Sequence, residues 1–287
     1  MQKTFETQGP VTLDLRLTSG EVVVDPTLEG RVEIELIAHD EESQTLVDAA
    51  RVELRGDRLL VDVPSKSRGF TISFFLGRQG ITCNVRCPAS STLEARTKSA
   101  DVTARGPLRD AAVSTASGSV ELRLVERNLT VKTASGDVSA DHVGASATVQ
   151  TASGDVRIGF VGGTVNVDAV SGDVRIGESL GDSRVVTVSG DQDHGAVSTG
   201  NVTAQSVSGD VEIAVRRGTR VYLDCNTLSG DTSSELDMTG EPVTTGPQIE
   251  IRAKTVSGDI RITRAPAAPG TASPGQGPAD STQEVHA

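Results

Sequence analysis

Tryptophan is absent from this 287-residue chain, tyrosine occurs once and phenylalanine five times. The chain therefore has no aromatic platform for stacking unpaired bases, nor the flat aromatic surfaces on which sugar sites are built. Basic residues are also short, 27 Lys and Arg against 39 Asp and Glu, for a net charge of −12. That balance argues against nucleic acid, whose phosphates need clustered cations, and against an anionic membrane surface. Long hydrophobic runs are missing. The longest, residues 70–76, falls far short of the roughly 20 residues that cross a bilayer, so no transmembrane segment is expected. The first ten residues are polar and lack the form of a signal peptide. Three cysteines are too few for a disulfide framework. The expected compartment is the cytoplasm, which makes the glycosylation-like triplets at Asn128 and Asn201 chance matches.

What the chain does have is a repeat. Ser-Gly-Asp recurs at Gly136, Gly154, Gly172, Gly190, Gly209, Gly230 and Gly258. Ser-Gly-Ser at Gly118 and a degenerate Ser-Ala-Asp at Ala100 precede them. The spacing is 18 residues at each step from 100 to 190, then widens to 19, 21 and 28. Internal periods of this size signal a repeat architecture.

Between these corners the chain alternates with period two, as strands with one buried face do. Val156 and Ile158 flank Arg157, and Val174 and Ile176 flank Arg175. Before the corners, Leu129, Val131 and Thr133 alternate with Thr130 and Lys132, and Ile249, Ile251 and Ala253 with Glu250 and Arg252. A second turn falls about nine residues after each corner, as at Gly144 and Gly162. One repeat is strand, turn, strand, Ser-Gly-Asp turn. Two such short strands are unstable alone, but stacked copies close their apolar faces inward.

The expected fold is all-β: a single-stranded, β-helix-like solenoid of about 18 residues per turn with two main faces. A three-faced coil also divides 18 evenly, but the aliphatics follow a nine-residue half-period. A flat antiparallel meander would leave one apolar face bare. The residue before each Ser-Gly changes from Ala116, Ala134 and Ala152 to Val170, Val188, Val207, Leu228 and Val256. If it packs at the corner, the cross-section broadens along the rod.

Residues 1–98 lack the period but keep strand character over 11–17, 22–24, 31–37, 52–54, 59–63, 70–76 and 81–87, with one short helix over 41–50. They are expected to form an N-terminal β-rich cap on a solenoid spanning residues 99–264, because a bare solenoid end invites edge pairing. Residues 265–287, rich in Ala, Pro, Gly and Ser, are expected to be disordered.

The tandem T-x-S-G-D-V units behind a strand-rich N-terminal segment resemble a bacterial β-strand-repeat family of unknown function whose members carry the label "putative adhesin". The resemblance covers nearly the whole chain before the tail. It implies a β-solenoid, and some relatives are linked to cell-envelope stress. It brings no catalytic residues. The matching corner residues are architectural.

Those corners hold the most conspicuous chemistry. Asp137, Asp155, Asp173, Asp191, Asp210, Asp231 and Asp259 stack one per rung in this fold. A calcium-binding nonapeptide repeat offers several ligands per turn, whereas each turn here offers one Asp beside one Gly. Each carboxylate is therefore expected to accept a backbone N–H of its own turn, and each corner glycine to serve as a structural turn residue. No metal or cofactor is expected. The repeated corner serines have no base that repeats with them, so they are read as turn residues rather than nucleophiles.

One rung departs from the pattern. In Gly190-Asp191-Gln192-Asp193-His194, Gln192 and His194 occupy columns held elsewhere by Val and Ile. Buried polar groups are costly unless paired, so a bulge is expected there, with a polar site as the alternative. Cys83 and Cys87 share strand parity, and Cys225 lies in a column with Val221 and Leu223; all three read as core thiols. Phe70, Phe74 and Phe75 read as core or cap packing, with a docking patch as the alternative. Nucleotide, zinc-protease and hydrolase motifs are absent. The expectation is a non-enzymatic scaffold that binds an unidentified protein or itself. A polysaccharide-active β-helix would draw on Asp191, Asp193 and His194, and a calcium-stabilised module on the corner carboxylates.

Overall fold

A computed structural model of the chain describes residues 1–64, 80–236 and 246–266. The strand expected over 70–76, with Phe70, Phe74 and Phe75, lies outside them, as does the chain from residue 267 onward.

The rod is built as the alternation requires. Leu129–Ser135, Ala147–Ser153, Val165–Ser171 and Ser183–Ser189 pair in parallel as one face. Val120–Val125, Val138–Val143, Val156–Val161 and Val174–Ser179 pair in parallel as the other. Each rung is one strand from each face, and equivalent residues stack one above the next, Val138 on Val156 on Val174. The inward columns are mostly aliphatic and buried, among them Leu129, Val149, Val156, Ile158 and Val167. Burying each Val or Ile contributes roughly 1.5–3 kcal/mol, and no rung achieves that without its neighbours.

The column before each Ser-Gly does not pack at the corner. Val170, Val188, Val207, Val256 and Leu228 share parity with outward Asp168 and are exposed. The cross-section does not broaden through them.

The rungs are not stacked in chain order. Gln248–Ser257 lies between Gly200–Gln205 and Arg220–Ser229. Ile260–Arg264 likewise lies between Val211–Val215 and Thr232–Ser234. The corners therefore run 190, 209, 258, 230 along the rod, and among the described residues the rung of residues 220–234 is outermost. Side-chain chemistry explains the order. Ile249, Ile251, Ala253, Ile260 and Ile262 are fully buried and suit a rung covered on both sides. The outermost rung has only Val221, Leu223, Cys225 and Thr227, all half-buried, before the wholly exposed Thr232–Ser234.

The other end repeats the device. Thr12–Asp25 lies between Ser91–Thr115 and an outer rung made of Arg58–Asp62 and Ile81–Arg86. Ser91–Thr115 itself runs across residues 98 and 99, where the cap was expected to end. Antiparallel strands cover the outer rung: Arg31–Ala38 on Ile81–Arg86, Gln2–Glu6 on Arg31–Ala38, and Arg51–Arg55 on Arg58–Asp62. Helix Glu41–Asp48 starts at Asp40, whose carboxylate accepts the Ser43 N–H at 2.6 Å. Asp14 is buried on the outer sheet surface under Arg16 and Arg58 at 2.9 and 3.0 Å and Arg96 at 3.3 Å. Burial pushes its carboxyl pKa up, but the two nearer guanidiniums outweigh that and hold it below the usual value.

Candidate functional site

Three features could carry function: the corner ladder, a polar layer inside the rod and an aliphatic ridge on its outside.

At the corners, the Asp side chains bond between rungs rather than within their own turn. Asp137 Oδ1 accepts the Asp155 N–H at 2.9 Å, and Asp155 Oδ1 accepts that of Asp173 at 3.0 Å. Asp173 does the same for Asp191, Asp191 for Asp210, Asp210 for Asp259, and Asp259 for Asp231. The last two links trace the permuted rung order. Gly154 has φ of +126°, and a Cβ there would collide with the carbonyl oxygen of Gly136. Gly136, Gly172, Gly190, Gly209, Gly230 and Gly258 also have positive φ. Gly118, in the Ser-Gly-Ser variant, is outside that set, yet its Cβ would strike the carbonyl of Ala100. The threonine of T-x-S-G, given no role by sequence reading, joins the corner from inside. Thr115 Oγ1 accepts the Gly118 N–H at 3.0 Å, and Thr151 Oγ1 donates to the Ser153 carbonyl at 3.1 Å. Its inward parity and its fixed place three residues before the glycine were the available signal. Among the described residues no cluster of three His, Cys, Asp or Glu side chains is gathered for a metal ion.

The bulge expected at Gln192 and His194 is displaced. Gln192 stacks between Val174 and Val211, and His194 between Ile176 and Ile213, all in register. The irregularity comes afterwards, between His194 and Val197. Both side chains are buried in the rod, while Asp193 between them faces outward. Strand alternation thus separates Asp193 from His194, so Asp191, Asp193 and His194 do not converge on one face. Ser179, Ser183 and Thr187 are buried in the adjoining strands. Gln192 Nε2 donates to Thr187 Oγ1 at 2.9 Å and to the Gln205 carbonyl at 2.7 Å. Gln192 Oε1, both His194 ring nitrogens and the hydroxyls of Ser179 and Ser183 have no protein partner. This layer divides the interior into two apolar cores, one running to Val185 and the other starting at Val197. Burial without a partner lowers the His194 pKa to about 4.

Cys83 and Cys87 are buried free thiols, and burial pushes both pKa values up to about 12. Cys225 is half-buried.

The ridge crosses five successive rungs: Val170, Val188, Val207, Val256 and Leu228, in spatial order. They are 46 to 82% exposed. Val186 lies beside them, and Lys132, Gln150 and Asp168 line the adjoining shallow groove of about 520 Å³. Among the described residues the other exposed apolar side chains are scattered singly, which is normal; this column is contiguous.

Fold and corner geometry define a two-faced parallel β-solenoid. The chain belongs to the Toastrack family, DUF4097, whose model matches residues 11–263. No curated protein sequence matches it. Similar solved structures include a "putative adhesin" from Bacteroides fragilis, 13% identical, covering 91% of this chain and 96% of its own, with a TM-score of 0.42. Another "putative adhesin", from Parabacteroides distasonis, is 11% identical, with 91% and 96% covered and a TM-score of 0.46. A "putative lipid binding protein" from the same species is 14% identical, with 92% and 96% covered and a TM-score of 0.47. Among the described residues no helix is long and apolar enough to cross a membrane.

Proposed function

We propose that this chain is a non-enzymatic scaffold whose ridge binds a protein partner through the partner's own aliphatic side chains. One observation carries the reading: five consecutive rungs each expose one Val or Leu in a single column. A regular β-rod needs no aliphatic residue at an outward position, and the first rungs have Ala116, Ala134 and Ala152 there. At about 4.8 Å per rung the five side chains span roughly 19 Å. That length suits an extended segment or a helix laid along the rod. Lys132 and Asp168 beside the groove give the partner polar contacts at the rim, as at other protein interfaces.

The test compares the full chain with Val188→Lys/Val207→Lys, both outward positions where Lys can be solvated without disturbing the core. Proteins retained from native lysate by the wild type and lost with the double variant, at equal melting temperature, support the reading. Retention of the same proteins by both would overturn it. The family resemblance directs the search toward cells under envelope stress.

A further inference from the structure

The rod ends differently at its two extremities. The end nearer the N-terminus is covered by antiparallel strands. At the other end, among the described residues, Arg220–Ser229 pairs only with Gln248–Ser257, so one edge is free. The Arg220 N–H bonds to Pro247 O at 2.9 Å. In a parallel ladder this turns the amides of Arg220, Tyr222, Asp224 and Asn226 toward the neighbouring strand, and those of Val221, Leu223 and Cys225 toward the free edge.

Proteins blunt such edges with Lys, Pro, bulges or a covering segment. This ten-residue edge contains no Lys, Pro or Gly. Its inward residues Val221, Leu223 and Cys225 are half-buried, whereas Ile249, Ile251 and Ala253 one rung inward are fully buried. Its outward face carries Leu228 and Tyr222, 82% and 61% exposed, more than any other large apolar residue described.

We infer that a second copy of this chain docks on Arg220–Ser229, antiparallel, about a two-fold axis through Cys225. Identical edges related by a two-fold axis pair antiparallel, and side-chain faces match only when a residue lies opposite itself. Two such registers overlap nearly the whole strand. Centring on Asp224 sets two carboxylates directly against each other, which is unfavourable. Centring on Cys225 sets Asp224 against Asn226 of the second copy, Leu223 against Thr227, and Tyr222 against Leu228. The two most exposed apolar side chains then cover each other on both sides of the axis, and the free amides of Val221, Leu223 and Cys225 gain partners. The half-buried inward residues become the middle of a core that continues from one rod into the next. The pairing is isologous and closes at two copies. It is independent of the ridge except at Leu228.

Sedimentation of the full chain tests it directly, and a dimer is the expected state at tens of micromolar. Leu228→Lys, exposed in the monomer, should weaken dimerisation at least tenfold without lowering the melting temperature. Register is read by cross-linking in a Cys225→Ser background. Tyr222 and Leu228 of two copies form a non-hydrogen-bonded pair with Cα atoms about 4.5 Å apart, within disulfide reach. Tyr222→Cys/Leu228→Cys should therefore oxidise to a covalent dimer, and Tyr222→Cys/Asn226→Cys should not. Val188→Lys/Val207→Lys should dimerise like the wild type, which separates failure of this inference from failure of the ridge reading. A wild-type monomer at 100 micromolar would overturn the inference, assigning the edge to another part of the same chain if Cys225 also resists thiol reagents. Cross-linking through the 222/226 pair alone would overturn the register.

Discussion

The Asp155 carboxylate accepts the backbone N–H of Asp173 at 3.0 Å, one rung along the rod, and not a donor of its own turn. Each corner Asp from Asp137 to Asp259, all but the terminal Asp231, thereby completes an amide that the β-ladders do not reach, at the cost of stacking like charges about 4.8 Å apart. Asn in place of Asp155 keeps the acceptor oxygen and removes one charge from the stack. Asp155→Asn should change stability by less than about 0.5 kcal/mol, whereas Asp155→Ala should cost about 1 kcal/mol for the orphaned donor. Thermal melting with calcium and with chelator checks the alternative, because a cation site stabilises by mass action. No calcium-dependent shift is expected. A shift that Asp155→Asn weakens would reassign the ladder to metal binding.

Gly154 sits where two constraints coincide, a φ of +126° and contact with the Gly136 carbonyl. Left-handed backbone costs a non-glycine residue about 1–2 kcal/mol, and pushing two rungs apart adds a packing term of similar size. Gly154→Ala should lose about 2–4 kcal/mol in denaturant unfolding. A loss below about 0.5 kcal/mol would show that the rungs yield easily.

The period itself can be cut. Deleting residues 137–154 joins Gly136 to Asp155 and restores every column one rung shorter, so a cooperative, less stable rod is expected. Deleting residues 146–154 joins strands that belong to the same face and should abolish cooperative melting. Equal melting of the two deletions would contradict the solenoid's 18-residue turn.

The permuted order gives a separate test. Excising residues 219–245 removes the outermost rung and lets Gly218 lead directly into the Ile249-containing rung, so most stability should remain. Truncation after residue 245 removes the last repeat in chain order, yet that repeat is a rung covered on both sides. The five buried side chains from Ile249 to Ile262 make that loss on the order of 5 kcal/mol or more. If the truncation proves the milder change by chemical denaturation, the rungs stack in chain order after all.

The coil was legible because Ser-Gly-Asp spacing and period-two alternation report two independent things, the turn length and the buried face. The order of the last two rungs was not, since Gly230 and Gly258 are equally good corners and spacing is silent about which neighbour each finds. Composition did hold the signal. Ile249, Ile251, Ile260 and Ile262 belong to a rung buried on both sides, and Thr232–Ser234 to one that is not. The outward valines were legible from parity alone, as Val170 shares its face with Asp168. For His194, parity pointed inward while the cost of burial pointed outward, and parity prevailed.

That outcome at His194 makes stability depend on pH in a stated direction. Burial lowers its pKa to about 4 in the rod, against about 6.5 in the unfolded chain. The folded state therefore holds the neutral ring while the unfolded state binds a proton between these values. The linkage sign follows: this stability is fully present above about pH 6.5 and is lost as the pH falls toward 4, at up to about 1.4 kcal/mol per pH unit. Summed over the window it is about 3 kcal/mol. His194→Ile extends the column of Ile176 and Ile213 and removes two ring nitrogens that have no protein partner. The variant should be more stable than the wild type at pH 7 and flatter between pH 7 and 4, with the gap widening on acidification. Denaturant unfolding of both proteins across that range measures it. If the two curves run parallel, His194 does not titrate with folding. A variant that is less stable at pH 7 would mean that the polar layer is satisfied by groups the rod itself does not supply.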